Sequence, residues 1–464
     1  MHFAVVVALA APFRVASAYA AIQADGAAAT SIAFDDLEIE LTLPALTELA
    51  PATPELDTCK GEWLGKLGSS EARVQLFVLE KDDYDFFEPE DVVETWRDSI
   101  RDPEPDAEGK HHEFAFEPTR CVAGTGGCTP IVATAQGLKT SKTDAAQKYA
   151  VVLVGSLLPG HGWTVRADVS PPPAADALRA FVAELEKCVT YKGKPCDPKW
   201  TDEEAKKFWQ SIAPESTWKK FEKPTRTKHF IVLTNSTSPG PFVKKLEGWY
   251  SSIAKIVPTD ELEGRKLLPI VLFRTDDDFQ NFYREHFQME PGDNVRETSI
   301  LIDDFLATSC DYDDEYERLL DLSKQALHVR ARARHGNLWL RQGLRTYAAT
   351  KPRDRSPLHK AVKKERYMEL AKLLVDADWN LNPDDARYDK PPLTNDAGYW
   401  SQSALWIEFF VEGPWPKDSF SRLIRVVGTI PGDDHEGILT AIESLYGMKL
   451  EQLQKKWIEY FSKK

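Results

Sequence analysis

The sequence has little of three things on which large classes of protein depend. Beyond residue 20, no stretch reaches the roughly 18 consecutive apolar residues of a membrane-spanning helix. Basic residues are outnumbered, with 58 Lys and Arg against 73 Asp and Glu and a net charge of −15. Cysteines number 6 in 464 residues, and none has zinc-finger spacing. We therefore expect a soluble mature chain that has no membrane span and does not bind nucleic acid.

Two catalytic signatures are absent as well. The run Val-Ala-Gly-Thr-Gly-Gly at residues 122–127 is followed neither by Lys-Ser or Lys-Thr nor by a helical pattern, so it does not predict a phosphate-binding loop. The sequence also has no Gly-x-Ser-x-Gly turn and no cysteine and histidine arrangement typical of a nucleophilic hydrolase.

Residues 1–20 have the pattern of a secretory signal. An apolar run from Phe3 to Ala11 is followed by Ala16-Ser17-Ala18, a small-x-small pattern typical of a cleavage site. No Lys or Arg precedes the apolar run, and the alternative is an alanine-rich disordered start. We expect an exported protein, secreted or periplasmic.

An even number of cysteines in an exported chain favours disulfides over free thiols. Cys121 and Cys128 bracket one loop, and Cys188 and Cys196 bracket another, so these two pairs are predicted first. Cys59 would then pair with Cys310. Sequence alone permits fifteen connectivities for six cysteines.

The first half of the chain predicts an α+β domain at residues 30–190, built on an antiparallel sheet. Alternating or apolar segments predict strands at residues 36–43, 73–80, 149–157 and 162–169. Apolar spacing and preceding prolines predict helices at residues 89–101 and 174–187. Adjacent His111 and His112 would point to opposite faces of a strand, which disfavours a metal site. No catalytic group emerges here.

The second half, from residue 200 to residue 464, follows a linker rich in Lys, Gly and Pro. Helices are predicted at residues 202–212, 242–257 and 275–286, and strands at 229–234, 268–273 and 299–304. Later segments predict helices at residues 359–376, 399–412, 418–427, 436–446 and 450–461. The pattern predicts a small mixed sheet at 225–305 and a helical part at 317–464.

Residues 322–350 read as two successive helices, the first ending at Gly336-Asn337. The second contains Trp-Leu-Arg-Gln-Gly-Leu-Arg-Thr-Tyr at residues 339–347. This segment resembles the Trp-Leu-x-Glu-Gly-x-Ala-x-Tyr motif that follows the His-Glu-x-x-His helix in the peptidase MA-like, or gluzincin, superfamily of zinc metallopeptidases. The resemblance covers about residues 225–464 and implies that family's small sheet and helical lobe.

The resemblance also implies a zinc site, but the aligned positions lack most of its groups. Such a site needs two imidazoles one helical turn apart, a third ligand from the next helix and a carboxylate base. Lys324 replaces the first imidazole, Gln325 the base and Gln342 the glutamate ligand, so only His328 remains. A protonated amine and neutral amides are poor ligands and poor bases. We expect a degenerate site with no metal, no other cofactor and no intact catalytic residue.

Two functions remain open. The first is an exported, non-catalytic pseudopeptidase that binds an unknown peptide, protein or anionic ligand. The second is an active zinc peptidase in which His328 is joined by ligands from elsewhere, such as His286, His359 or His435. His335 cannot join His328, because seven residues along a helix span roughly 10 Å, whereas zinc bonds are about 2 Å long.

Two features indicate what a binding module would use. In the family that the chain resembles, an extended substrate pairs with an edge strand, and residues 298–304 would supply that edge, unless they form an inner or capped strand. Eight basic residues and no acidic one lie between Leu322 and Arg353, after an acidic run at 303–317. Lys324 with Arg341 or Arg345 would form an anion pocket; the alternative is that the two charge runs pair within the fold.

Overall fold

The computed structural model describes residues 31–464 apart from several gaps. These are residues 55, 81–87, 101–108, 110, 125–126, 128–130, 213–219, 258–261, 263, 289, 291–299, 303–304, 312–314, 332–337, 351–354, 365–366, 368, 376–397, 429 and 431–433. The predicted signal segment therefore lies outside the described residues. The side chains of Lys324 and His328 also lie outside them, although the backbone at both positions is described.

The N-terminal half is built on two antiparallel sheets. Its strands are Ser31–Phe34 (β1), Ile39–Thr42 (β2), Thr47–Ala52 (β3), Cys59–Leu67 (β4), Ser70–Glu80 (β5), His112–Phe116 (β6), Arg120–Ala123 (β7), Ile131–Ser141 (β8), Lys148–Leu158 (β9), His161–Ser170 (β10) and Val189–Tyr191 (β11). The larger sheet has the order β3-β4-β5-β10-β9-β8-β6, with β7 also paired to β8. The smaller sheet has the order β1-β2-β11.

The apolar run in β9 reflects burial of both faces of the larger sheet. Val152 and Val154 pack in one core with the helix Ala175–Leu185 (α2), whereas Val151 and Leu153 pack in another with Val93 of the helix Pro89–Ile100 (α1). A strand between two helical layers has no polar face, which is why its sequence shows no alternation.

The C-terminal half contains a five-stranded mixed sheet. Its strands are Thr225–Arg226 (β12), Phe230–Thr234 (β13), Leu268–Phe273 (β14), Ile300–Ile302 (β15) and Phe305–Ser309 (β16), in the order β12-β13-β14-β16-β15. β13, β14 and β16 are parallel, and β12 and β15 run antiparallel at the two edges. Residues of alternate parity in β13 and β14 contribute to different cores, so helices cover both faces.

The helices of this half supply both covering layers. They are Asp202–Ile212 (α3), Gly240–Ala254 (α4), Asp276–Phe287 (α5), Glu315–Gln325 (α6), Leu338–Ala349 (α7), Ser356–Lys363 (α8), Leu370–Val375 (α9), Gly398–Glu412 (α10), Ser419–Val427 (α11), His435–Tyr446 (α12) and Leu450–Lys463 (α13). α6 continues into a π-helical turn over Ala326–Arg330, in which the amide of Ala331 donates to the Ala326 carbonyl at 2.8 Å.

The predicted fold class is confirmed: an antiparallel-sheet α+β half precedes a half that joins a small mixed sheet to a helical part. α3 and β14 have the predicted bounds, and α4, α5 and the helices after Gly398 differ by a few residues. The predicted strand at 299–304 is followed by a second strand, β16, which was missed. The predicted helix at 359–376 is wrong as one element, since α8 ends at Lys363 and α9 begins at Leu370.

The predicted disulfide pairs are wrong. Cys59, Cys121, Cys188 and Cys310 carry free thiols, so none of the three pairs forms. Cys196 is disulfide-bonded and cannot have Cys188 as its partner. Cys188 is packed in the core beneath α2, where desolvation raises the pKa of its thiol to about 12. Closeness in sequence did not place these sulfur atoms together.

Two smaller predictions concern a membrane span and the adjacent histidines His111 and His112. None of the helices described here is long and apolar enough to cross a membrane. His112 is buried at the start of β6, whereas its neighbour His111 is exposed, so the two residues differ in environment as a strand predicts.

Gly343 allows close contact between α7 and α10. A Cβ atom at this position would lie 2.7 Å from the carbonyl oxygen of Ser403 and 2.9 Å from Cγ1 of Ile407. We expect Gly343→Ala to lower the free energy of unfolding by about 1–3 kcal/mol through overpacking. Gly248→Ala on α4 is the control. Its Cβ would meet nothing within 4 Å, and helix propensity should raise stability by up to about 1 kcal/mol. Urea unfolding of both variants measures this; equal effects would contradict the packing argument.

Candidate functional site

The degenerate site, defined as Lys324, Gln325, His328 and Gln342, lies on the α6 helix, its π-helical extension and α7. The helix forms here because apolar residues recur at helical spacing, and Leu322, Ala326 and Val329 are buried in the same core as β14. α6 and α7 pack against each other. The four positions therefore belong to one pair of contacting elements.

Gln325, which the resemblance aligns with the general base, is directed into the protein interior. Its side chain is fully buried, and its Nε2 donates to the Pro269 carbonyl of β14 at 3.4 Å. Its Oε1 is buried and has no hydrogen-bond partner among the described residues. A neutral amide facing a central strand can neither take a proton from water nor reach a substrate in an open cleft.

Gln342, which the resemblance aligns with the third zinc ligand, forms a hydrogen bond with a cationic side chain. Its side chain is buried, and its Oε1 accepts a hydrogen bond from Nη1 of Arg345 at 2.8 Å. A guanidinium cannot be deprotonated in a protein. The oxygen that would face a metal therefore faces a permanent positive charge, which opposes cation binding at that position.

The predicted anion pocket has only two members whose side chains are described. Arg341 is exposed and forms no ion pair with any described residue, whereas Arg345 is half-buried and bonded to Gln342. The two lie one turn apart on α7 and so share a face. The Lys324 side chain lies outside the described residues, so the pocket stays a prediction.

The predicted substrate edge corresponds to β15. Among the described residues this strand pairs with β16 alone, antiparallel, and stands at the end of the sheet. Residues 298, 299, 303 and 304 of the predicted segment lie outside the described residues. Within the part of the chain that the structure describes, β15 is an edge strand, and α6 lies beside it.

A buried ionic cluster surrounds Glu408, on the helix that contacts α7. The Glu408 carboxylate is 1% exposed and is bonded by Arg355 at 3.1 Å, His359 at 3.2 Å and Lys464 at 2.5 Å. Glu412, one turn later, accepts from the Tyr347 hydroxyl at 2.8 Å. Burial acts to raise the pKa of Glu408, but hydrogen bonds from His359, Lys464 and Arg355 outweigh it and lower that pKa to about 2.

The Glu408 cluster bears on the alternative zinc site. His359 is held by Glu408, His286 stacks on Phe282 with ring centroids 5.4 Å apart, and His435 begins α12. Within the described ranges, no group of three His, Cys, Asp or Glu side chains could hold a metal ion. The His328 side chain lies outside those ranges, so the rearranged site stays an alternative.

A hollow of about 400 Å³ lies at the start of β13. It is lined by Lys228, His229, Glu247, Ser251, Ala254 and Lys255. His229 Nδ1 and the Glu247 carboxylate are 2.6 Å apart. Burial acts to raise the pKa of Glu247, but hydrogen bonds from His229 and Thr227 outweigh it and lower that pKa to about 2. The hollow includes none of the degenerate-site residues.

Side-chain contacts bear on two local features of the sequence. Asn235-Ser236-Thr237 has the form of an N-glycosylation sequon, but Asn235 is 6% exposed, donates to Asp278 at 3.1 Å and accepts from the Arg274 amide at 2.6 Å. Of the basic run, Arg330 bonds Glu88, which lies outside the acidic run, and Arg345 bonds Gln342. The side chains of Lys324, Arg332, Arg334, Lys351 and Arg353 lie outside the described residues, so pairing between the two charge runs stays an alternative.

The comparisons with known proteins do not assign the chain to a family. No protein-family model and no curated protein matches the chain. Among the solved structures that match is the solution structure of cyanobacterial PsbP (CyanoP) from Synechocystis sp. PCC 6803, at 8% identity and a TM-score of 0.28. The match covers 37% of this chain and 98% of that one. A likeness of this size assigns neither a fold family nor a function.

The Glu408 cluster should make stability depend on acid pH. We expect Glu408→Gln to lower the free energy of unfolding at pH 7 by roughly 3 kcal/mol, because the carboxylate is stabilised in the folded state. A lowered pKa stabilises above the unfolded value of 4.5 and loses this effect as pH falls toward 2. The difference in free energy of unfolding between wild type and Glu408→Gln, measured by urea unfolding, should therefore narrow as the pH falls from 4.5 toward 2.

Glu203→Gln serves as the control for this measurement. Glu203 pairs with Lys207 at 3.6 Å, but both side chains are largely exposed, so no measurable change is expected. A Glu408→Gln effect as small as that of the control, or one that is independent of pH, would show that the cluster does not stabilise the fold.

Proposed function

We propose that residues 200–464 form a peptidase MA-like domain that has lost zinc-dependent hydrolysis and acts as a binding or interaction module of an exported protein. The observation that carries the proposal is the orientation of Gln325. Its amide lies where the family has a general base, and it is hydrogen-bonded to a central strand. A residue in that orientation contributes to the core rather than to catalysis.

The metal that the resemblance implies does not fit the described residues. Zinc is held by thiolate, imidazole or carboxylate groups, whereas Gln342 offers an amide oxygen that already accepts from Arg345. Placing a divalent cation next to that guanidinium would add repulsion that no described carboxylate at the site offsets. We therefore assign no catalytic step to a metal.

The binding function would use the two features that remain at the site. Among the described residues β15 pairs with β16 alone, and the backbone amide and carbonyl groups along its other side would suit an extended peptide. Arg341 is an exposed residue of α7, although partial burial of its guanidinium lowers the pKa of that group, and its charge would suit a carboxylate or phosphate on the ligand. A peptide or protein segment with an acidic group is the ligand class that uses both.

Zinc analysis distinguishes this proposal from an active peptidase. We expect protein purified without added metal to contain far less than one zinc per chain and to leave unfolded casein intact. His328→Ala and the exposed control His111→Ala should then behave like wild type. Zinc content is measured by inductively coupled plasma mass spectrometry. Stoichiometric zinc that is lost in His328→Ala but kept in His111→Ala would overturn the proposal.

A further inference from the structure

A buried group of four charged side chains joins the two halves of the chain. The Glu88 carboxylate is 1% exposed and lies between two guanidiniums, those of Arg265 and Arg330. The Arg330 contact is 2.5 Å long, and Arg265 also bonds Glu90 at 2.8 Å. The arginine side chains are only 8% and 6% exposed. Two negative and two positive charges thus neutralise one another away from solvent.

The partners come from distant parts of the sequence. Glu88 immediately precedes α1, and its backbone amide donates to Asp91 Oδ2 at 2.6 Å, which fixes it at the helix start. Arg265 precedes β14 by three residues, and Arg330 ends the π-helical turn that contains His328. The contact therefore connects the N-terminal half to the element on which the degenerate site lies.

The arginine pair requires an anion at this place. A buried guanidinium without a counter-charge is strongly unfavourable, and removing one partner of a buried ion pair leaves that cost uncompensated. Arg330 also donates to the Lys266 carbonyl at 2.9 Å. This second contact fixes the guanidinium plane of Arg330, and Glu88 bridges that guanidinium to Arg265. Two fixed guanidiniums facing one carboxylate form a carboxylate-binding site.

We propose that Arg265 and Arg330 form a carboxylate site that Glu88 fills from within the same chain, and that this contact latches the N-terminal half onto the turn Ala326–Arg330. The Glu88 latch, meaning Glu88, Glu90, Arg265 and Arg330, controls how freely that turn opens. Release of Glu88 leaves the arginine pair as a receptor for another carboxylate. This inference does not depend on the peptidase resemblance.

Hydrogen exchange of the full chain tests the latch. In Glu88→Gln, we expect the backbone amides of residues 326–331 to exchange roughly 100-fold faster or more, because breaking one side of a buried pair costs several kcal/mol. Glu62→Gln is the matched control, since Glu62 is 5% exposed and bonds Arg73 at 2.8 Å within the N-terminal half. Unchanged exchange at 326–331 in Glu88→Gln, or the same increase in both variants, would overturn the proposal.

Chemical rescue tests the carboxylate site itself. In Glu88→Ala, acetate should restore protection of residues 326–331 and raise the melting temperature, whereas acetamide, or chloride at equal ionic strength, should not. Glu62→Ala should show no such preference for acetate, because the Arg73 side chain is 41% exposed and can be solvated by water. Equal effects of acetate and acetamide on Glu88→Ala would exclude a carboxylate site. If Glu88→Ala does not fold, Glu88→Gln decides the question through the exchange measurement.

Discussion

The C-terminal half depends on one constraint: the helix Glu315–Gln325 buries polar side chains, which must find partners inside the protein. Arg318 is 1% exposed and donates to Thr308 and to the Ser309 carbonyl of β16. Gln325 donates to Pro269 of β14. Arg330, on the π-helical turn, bonds Glu88. Each contact ties the helix to a different neighbour, because a buried donor without an acceptor is costly.

The same constraint connects the fold to the proposed loss of hydrolysis. A hydrolytic site keeps polar groups free to meet water, metal and substrate. In this chain, Gln325 and Gln342 instead form hydrogen bonds within the fold, to the Pro269 carbonyl and with Arg345. Groups engaged in this way stabilise the packing of α6 and α7. The proposed binding function would instead use the strand β15 and Arg341.

Two ionic clusters join segments that lie far apart in the sequence and that no local sequence pattern links. Glu88 joins Arg330 across 242 residues, and Glu408 joins Arg355 and Lys464 across 53 and 56 residues. In both clusters a carboxylate that is 1% exposed serves several cations at once. Such groups fix the relative positions of distant segments, because separating any partner would leave a buried charge uncompensated.

The sequence by itself determined the fold class, the bounds of strongly patterned elements such as α3 and β14, and which residue types occupy the degenerate site. These follow from short-range periodicity and from identity at motif positions. Strands such as β3, β4, β6, β7 and β8 were missed because edge strands and half-buried strands with polar residues carry a weak period. The disulfide pairs, the partner of Arg330 and the inward orientation of Gln325 were decided only by tertiary structure. They depend on which segments, far apart in the sequence, come into contact. A local sequence pattern does not show which segments these are.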